Sequence, residues 1–265
     1  MAYNSLLKRE ALLAIVEDRL FRKIRKQVGK AIGDFNLIEE GDRIAVAVSG
    51  GKDSYTLLHV LDSLRRRAPV RYELIAVNVH PGFPGYRTEP LARHLEEYGF
   101  ANRMEQTDCY QIIETKRRPG SSYCSFCARL RRGVLYSVMD ELGCNKLALG
   151  HHADDFIETL LLNQFFVGTL KAMSPKLQAD NGRHTVIRPL VYVEERDIVE
   201  FSYSNDFPPI ACACPAGSEG DRNRRRMKRL IKDLSGEIPH LRGSLLGALG
   251  NIQPRHLLDK RFNPF

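Results

Sequence analysis

The apolar positions of this 265-residue chain change rhythm along its length. Between about Leu6 and Ile32 they recur at steps of three and four: Leu13, Val16, Leu20, Ile24, Val28 and Ile32, with Lys and Arg between them. That spacing predicts one amphipathic helix, closed by Gly33-Asp34. Ile44–Val48 and Leu74–Val79 are nearly unbroken apolar runs, the pattern of strands buried on both faces of a parallel sheet. Helical repeats follow each of them, first to about Arg66 (Leu57, Leu58, Val60, Leu61, Leu64) and then over Thr88–Tyr98. Arg103–Gln106 reads as a short strand, Ser125–Leu142 as a helix, Lys146–Gly150 as a fourth strand and Asp155–Phe166 as a helix. This alternation predicts an α/β fold, a doubly wound parallel sheet with its ligand at the carboxyl ends of the strands.

After Gly168 the pattern shortens. Lys176–Gln178 and His184–Ile187 flank Asp180-Asn181-Gly182, a hairpin-turn signal. Glu194–Asn205 is helical in pattern, Asp206–Gly217 irregular, and Asp221 to about Ile252 helical and basic. The economical division is an N-terminal helical segment (1–42), a catalytic domain (43–217) and a C-terminal basic helical extension (218–265).

Composition narrows the function. With 43% hydrophobic residues the chain can bury a large core. It has no apolar run of about eighteen residues and no signal-peptide layout at Met1-Ala2-Tyr3-Asn4-Ser5, so a soluble, cytoplasmic protein without a membrane partner is expected. The net charge is +8. Basic residues cluster at Arg22–Lys26, Arg65–Arg67, Lys116–Arg118, Arg129–Arg132 and Arg222–Arg229, which suggests a polyanion partner, most simply nucleic acid. The absence of Trp argues against a dedicated base-stacking platform. In a reducing compartment the six cysteines are not expected to be structural disulfides.

Three segments carry candidate chemistry. In Ala45-Val46-Ala47-Val48-Ser49-Gly50-Gly51-Lys52-Asp53-Ser54 a strand runs into two glycines, a lysine and a helix start. Glycines let backbone N–H groups face inward, the helix terminus adds partial positive charge and Lys52 adds a full one, which makes a cradle of phosphate size. It is not a Walker A loop, because Val46 takes the first glycine's place and Asp53 follows the lysine. Ser-Gly-Gly-Lys-Asp-Ser resembles the pyrophosphate loop of enzymes that split ATP into AMP and pyrophosphate. The second segment, Cys124-Ser125-Phe126-Cys127, opens a helix and is followed by Arg129, Arg131 and Arg132, a setting that favours thiolate. A redox dithiol, core cysteines, structural zinc and an iron–sulfur site all fit its spacing, with Cys212 or Cys214 as further ligands. Cys109 and Cys144 lack partners at ligand spacing and read as core. The third segment, Gly150-His151-His152-Ala153-Asp154-Asp155, ends the fourth strand at the ligand rim. Its carboxylates are candidates for Mg²⁺ binding or for polarising a nucleophile, set against a capping box formed by Asp155 and Glu158.

Together these segments closely resemble the tRNA 2-thiocytidine synthetases of the pyrophosphate-loop ATPase superfamily. The likeness runs from about Phe21 to Phe265 and includes Ala31–Asp42, Ser49–Tyr55, Cys124–Gly133, Ala148–Asp155, Ser174–Leu177, Val186–Leu190, Phe207–Ile210 and Asn251–Leu257. The resemblance implies an adenine nucleotide alpha hydrolase-like fold and an ATP-dependent thiolase that replaces the C2 oxygen of cytidine 32, in the tRNA anticodon loop, by sulfur. It implies Ser49, Gly50, Gly51, Lys52, Asp53, Ser54, Gly150 and His151 for ATP, with Mg²⁺. It further implies that Asp154, Asp155, Arg131 and Lys52 carry the chemistry, and that Cys124, Cys127 and Cys212 hold a 4Fe-4S cluster with one iron open for sulfide. The base would be adenylylated by ATP before sulfide displaces AMP. Implied partners are tRNA, a second copy in a homodimer, and a sulfur donor, either a cysteine desulfurase system or free sulfide. Two departures stand out: the family usually has C-x-x-C where this chain has Cys212-Ala213-Cys214, and commonly an acidic residue where His80 stands. The rival readings are a tRNA uridine 2-thiolase, which usually carries extra zinc-binding cysteines, and a non-catalytic RNA-binding iron–sulfur sensor. The sensor would leave the intact phosphate loop without a purpose.

Overall fold

Helix α1 (Arg19–Phe35) buries the stripe Phe21, Ile24, Val28 and Ala31, the spacing expected of one helix face. The computed structural model describes residues 19–118, 120, 122–179, 182–210, 214 and 222–261, so the predicted start of that helix at Leu6 lies outside the described residues. Next come β1 (Arg43–Ala47), α2 (Lys52–Arg65), β2 (Glu73–His80), α3 (Glu89–Glu97) and β3 (Asn102–Gln106). They are followed by α4 (Cys109–Lys116), α5 (Tyr123–Leu142), β4 (Lys146–Ala148) and α6 (Ala153–Phe166). The chain continues through β5 (Lys176–Gln178), β6 (Thr185–Ile187), α7 (Glu195–Ser204), α8 (Arg222–Glu237) and α9 (Leu241–Ala248).

The strands form one sheet in the order β3-β2-β1-β4-β6-β5, parallel except for β5, which pairs antiparallel with β6. The central strands are buried on both faces, which is why their sequences are continuously apolar and β-branched. On one face, Ala45, Ile75, Val77, Leu147 and Val186 pack under Leu135, Val138 and Met139 of α5, with Cys144 in the same core. Elsewhere in this unit α1 and α7 meet through stacked Phe21 and Phe201, with ring centroids 5.1 Å apart. The doubly wound sheet read from the sequence is the fold observed.

Three elements differ from the sequence reading. Helix α4 was not expected, because only Cys109 and Ile113 of its residues are buried, too few to print a period. Helix α6 begins at Ala153, so Asp155 lies inside its first turn and the capping box is not what is built. The basic tail is two helices, parted where His240 takes a left-handed backbone, φ 61°. The hairpin strands pair as read, while Asp180 and Asn181 of its turn lie outside the described residues.

The described residues of Met1–His152 and Ser174–Gly220 form one compact unit, and those of Ala153–Met173 and Asp221–Phe265 a second. In the second unit Ile157 and Leu161 of α6 are buried with Met227 and Ile231 of α8. No helix among the described residues is long and apolar enough to cross a membrane.

Candidate active site

In the sheet the chain runs outward from β1 to β2 and β3, then returns to the other side of β1 for β4. Crossovers that leave in opposite directions open a crevice at the carboxyl ends of β1 and β4. The loop after β1 is the glycine-lysine segment. Gly50 has φ +80°, and a Cβ there would fall 2.4 Å from the Ile210 side chain. The Gly50 carbonyl accepts the Ile210 N–H at 3.1 Å. Gly51 caps α2 with no side-chain hydrogen bond to the helix end. Ser54 Oγ donates to the Gly51 carbonyl at 2.8 Å and accepts the Ser49 N–H at 3.2 Å, which holds the turn closed.

Lys52 Nζ lies 3.0 Å from Asp53 Oδ1 and 3.2 Å from Glu195 Oε1 at the start of α7. Burial opposes its charge, but the two carboxylates outweigh that and hold its pKa above the ordinary lysine value. Lys52 is therefore a fixed cation at this turn. Gly150, after β4, abuts the same turn: a Cβ would stand 3.1 Å from the Asp53 carbonyl carbon and oxygen. His152 Nε2 is 3.7 Å from Asp53 Oδ1, and His151 Nδ1 accepts from Arg188 Nε at 3.3 Å. Ser49, Gly50, Gly51, Lys52, Asp53, Ser54, Gly150 and His151 are thus brought together in the first unit.

The loop after β2 closes on the same turn. His80 Nδ1 accepts the Gly82 N–H at 3.0 Å, so its proton sits on Nε2, 3.1 Å from the Tyr86 carbonyl. Tyr86 Oη in turn donates to the Ser49 carbonyl at 3.1 Å. His80 thereby organises this loop. Asn78 is fully buried, and its amide donates to the Val48 carbonyl at 2.6 Å.

Cys124 and Cys127 lie in the first turn of α5, which Ser122 caps by accepting the Ser125 N–H. Burial pushes the Cys127 thiol pKa up; Arg131, one turn on, pulls it down, and nearby Cys109, Cys214 and Cys124 raise it further. Four cysteines thus bear on one another, including Cys109, which its position after β3 and not its spacing brings there. Tyr123 Oη is buried without a hydrogen-bond partner among the described residues, and its pKa is pushed up to about 12, first by burial and also by Glu114, Cys214 and Cys127. Clustered thiols with an unsatisfied donor beside them fit a thiolate-bound group with acceptor atoms. Among the described residues no set of three or more ligands has metal-site geometry as placed, and Cys212 lies outside them.

Asp154 and Asp155 belong to the second unit. Arg242 Nε meets Asp154 Oδ1 at 2.9 Å, while Arg224 reaches Asp155 at 3.4 Å and Glu158 at 2.9 Å. The Asp155–Glu158 spacing therefore grips a cation instead of capping the helix. Arg188, Glu195, Tyr86 and Cys109 were not among the site residues read from the sequence. Arg188 alone had a signal, in Ile187-Arg188-Pro189-Leu190 directly after a strand.

Residues 20–232 match the family model described as a PP-loop domain. A protein of Syntrophotalea carbinolica named tRNA-cytidine(32) 2-sulfurtransferase is 74% identical over 96% of this chain and 98% of its own length. The chain belongs to the tRNA-cytidine(32) 2-sulfurtransferase family. A protein of Geotalea uraniireducens with the same name is 64% identical over 94% of this chain and 99% of its own. Among solved structures, the U34-tRNA thiolase NcsA of Methanococcus maripaludis with its 4Fe-4S cluster superposes with a TM-score of 0.68. It is 22% identical and covers 89% of this chain and 80% of its own, a likeness of fold. The enzyme class expected from the sequence is therefore the one its relatives carry.

Proposed function

We propose that this chain is an ATP-dependent tRNA thiolase that replaces the C2 oxygen of cytidine 32 in the anticodon loop by sulfur. The observation that carries this reading is the 74% identity, over nearly the whole chain, to a relative named for that activity. The geometry of the loop after β1 supports this reading. Oxide is a poor leaving group, so C2–O must first be activated, and attack of that oxygen on the α-phosphate of ATP releases pyrophosphate and leaves AMP on the base. Ser49, Gly50, Gly51, Asp53 and Ser54 shape the cradle for the departing pyrophosphate, and Lys52 offsets its charge. Gly150 lets the loop after β4 come close enough for His151 to share that crevice.

Cys124, Cys127 and Cys212 are the proposed ligands of a 4Fe-4S cluster, which when bound supplies an iron that can carry sulfide to the base. Arg131 pulls the Cys127 thiol toward thiolate, and in this reading it would also steady negative charge beside it. Asp154 and Asp155 are proposed for Mg²⁺ binding or activation at the base. Partners in this reading are tRNA, a second copy of the chain, and a cysteine desulfurase system or free sulfide as sulfur donor. The functional division proposed is 1–42, 43–217 and 218–265.

The test is reconstitution. The full chain, prepared anaerobically with iron and sulfide, is mixed with unmodified tRNA and ATP, and digested nucleosides are read by mass spectrometry. The expected result is 2-thiocytidine, with one AMP formed for each. Lys52→Ala should abolish both products while leaving the melting temperature nearly unchanged. Cys124→Ala or Cys127→Ala should remove the visible absorbance and the thiolation but not ATP binding. Formation of 2-thiouridine instead, or a protein that takes up only zinc, would overturn the reading.

A further inference from the structure

Arg188 is only 9% exposed, yet no carboxylate answers its charge among the described residues. Its place follows from the sheet. Ile187 ends β6 in register with Ala148 of β4, and its carbonyl accepts the Leu149 N–H at 3.0 Å. Arg188 is the next residue, beside Gly150-His151 at the carboxyl end of the sheet. Its Nε donates to His151 Nδ1 at 3.3 Å and its Nη1 to the Ser174 carbonyl at 2.5 Å. A guanidinium can only donate, so His151 Nδ1 is the accepting nitrogen and the ring proton sits on Nε2.

Two of the three guanidinium nitrogens are thus committed, and Nη2 makes no hydrogen bond to the described residues. Burial, and after it the charge of Arg132 on α5, pushes the Arg188 pKa below the ordinary arginine value. Arg132 is exposed and makes no ion pair among the described residues. Tyr136 of α5 stacks on His184, just before β6, with ring centroids 5.3 Å apart, which sets Arg132, one helical turn earlier, toward the Arg188 end of that strand. Two cations held near each other, one of them desolvated, are unfavourable unless something negative joins them. A planar guanidinium with a terminal edge unspent is suited to phosphate oxygens.

We propose that Arg188 and Arg132 form a second anion subsite, separate from the cradle after β1, that takes one phosphate group at the carboxyl end of β6. Arg188 also acts as a positioning residue by fixing the tautomer of His151. This rests on the reading of the chain as an ATP-dependent tRNA thiolase, which offers two sources for that phosphate: the α-phosphate that remains in AMP, and a backbone phosphate of the tRNA.

The experiment compares Arg188→Gln and Arg132→Gln with the wild-type full chain. Calorimetric titrations use AMP and inorganic pyrophosphate, and filter binding uses tRNA over a range of salt. If the nucleotide is the source, both variants lose about tenfold in AMP affinity and keep pyrophosphate affinity. If tRNA is the source, both lose a similar factor in tRNA affinity with a shallower salt slope, and AMP binding holds. The subsite is overturned if both variants bind AMP and tRNA within about twofold of wild type. It is overturned too if Arg132→Gln changes nothing while Arg188→Gln weakens every ligand along with its melting temperature, for Arg188 is then a strut. A wild-type protein with no tRNA-dependent ATP turnover would instead overturn the reading underneath.

Discussion

Gly50 illustrates how much one missing side chain decides. Its φ of +80° lies where an L-residue is strained, and Ile210 occupies the space a Cβ would need. Gly50→Ala should therefore cost about 1–2 kcal/mol in backbone strain alone, with the displacement of Ile210 added to it. A lowered melting temperature together with weaker ATP binding is the expected result. An alanine variant with wild-type values for both would mean that the turn adapts freely. The glycines, Lys52 and the α5 cysteines were legible in the sequence because each motif is contiguous and its chemistry local. Glu195 was not, since nothing in the chain near it points to Lys52, and the segment around Arg188 stood out without disclosing its pairing with His151. Folding creates those pairs.

At the scale of elements, α2 and α3 meet through two buried histidines. His59 Nε2 and His94 Nε2 are 2.9 Å apart, and Tyr55, Tyr98, Phe100 and Phe207 surround them. Burial lowers the His59 pKa to about 3, helped by His94 and Arg66, and burial lowers that of His94 to about 4. An unfolded histidine titrates near 6.5, so these groups take up protons on unfolding and their neutral pairing is fully stabilising only above that value. Stability should fall as pH drops from about 6.5 toward 4. Urea midpoints measured across that window should show the decline, and His94→Gln should flatten it; an unchanged slope would exonerate the pair. The sequence marked the strands and long helices because their periods are complete. It concealed α4, which buries two residues, and the break at His240, where the polar pattern runs on across a change of backbone.

At the scale of the molecule, the alternation of strands and helices predicted the sheet, because parallel pairing leaves few ways to connect them. It did not predict that α6 joins the C-terminal helices in a second unit. That association depends on Ile157 and Leu161 meeting Met227 and Ile231, residues far apart in the chain. The same packing turns Arg226 and Arg229 of α8 outward. Reversing both to Glu should weaken tRNA binding and flatten its salt dependence by about one unit of slope for each phosphate that is no longer neutralised, without changing ATP binding to the free protein. Unchanged tRNA affinity would mark them as solvated charges. The anchoring of residues 207–210 reaches further. Tyr55 Oη holds the Pro208 carbonyl at 3.0 Å, and Ile210 is clasped by Gly50. Four residues of chain span at most about 14 Å, so Cys214 is tethered within that radius of Ile210. On the proposed reading, a nucleotide at the Gly50 turn and a group held by the cysteines of this loop would pull on opposite ends of one short leash. Whatever factor the nucleotide adds to retention of that group, the group must return to nucleotide affinity, because linkage is reciprocal. ATP titrations of the loaded and stripped protein, set beside chelator resistance with and without ATP, should give the same ratio.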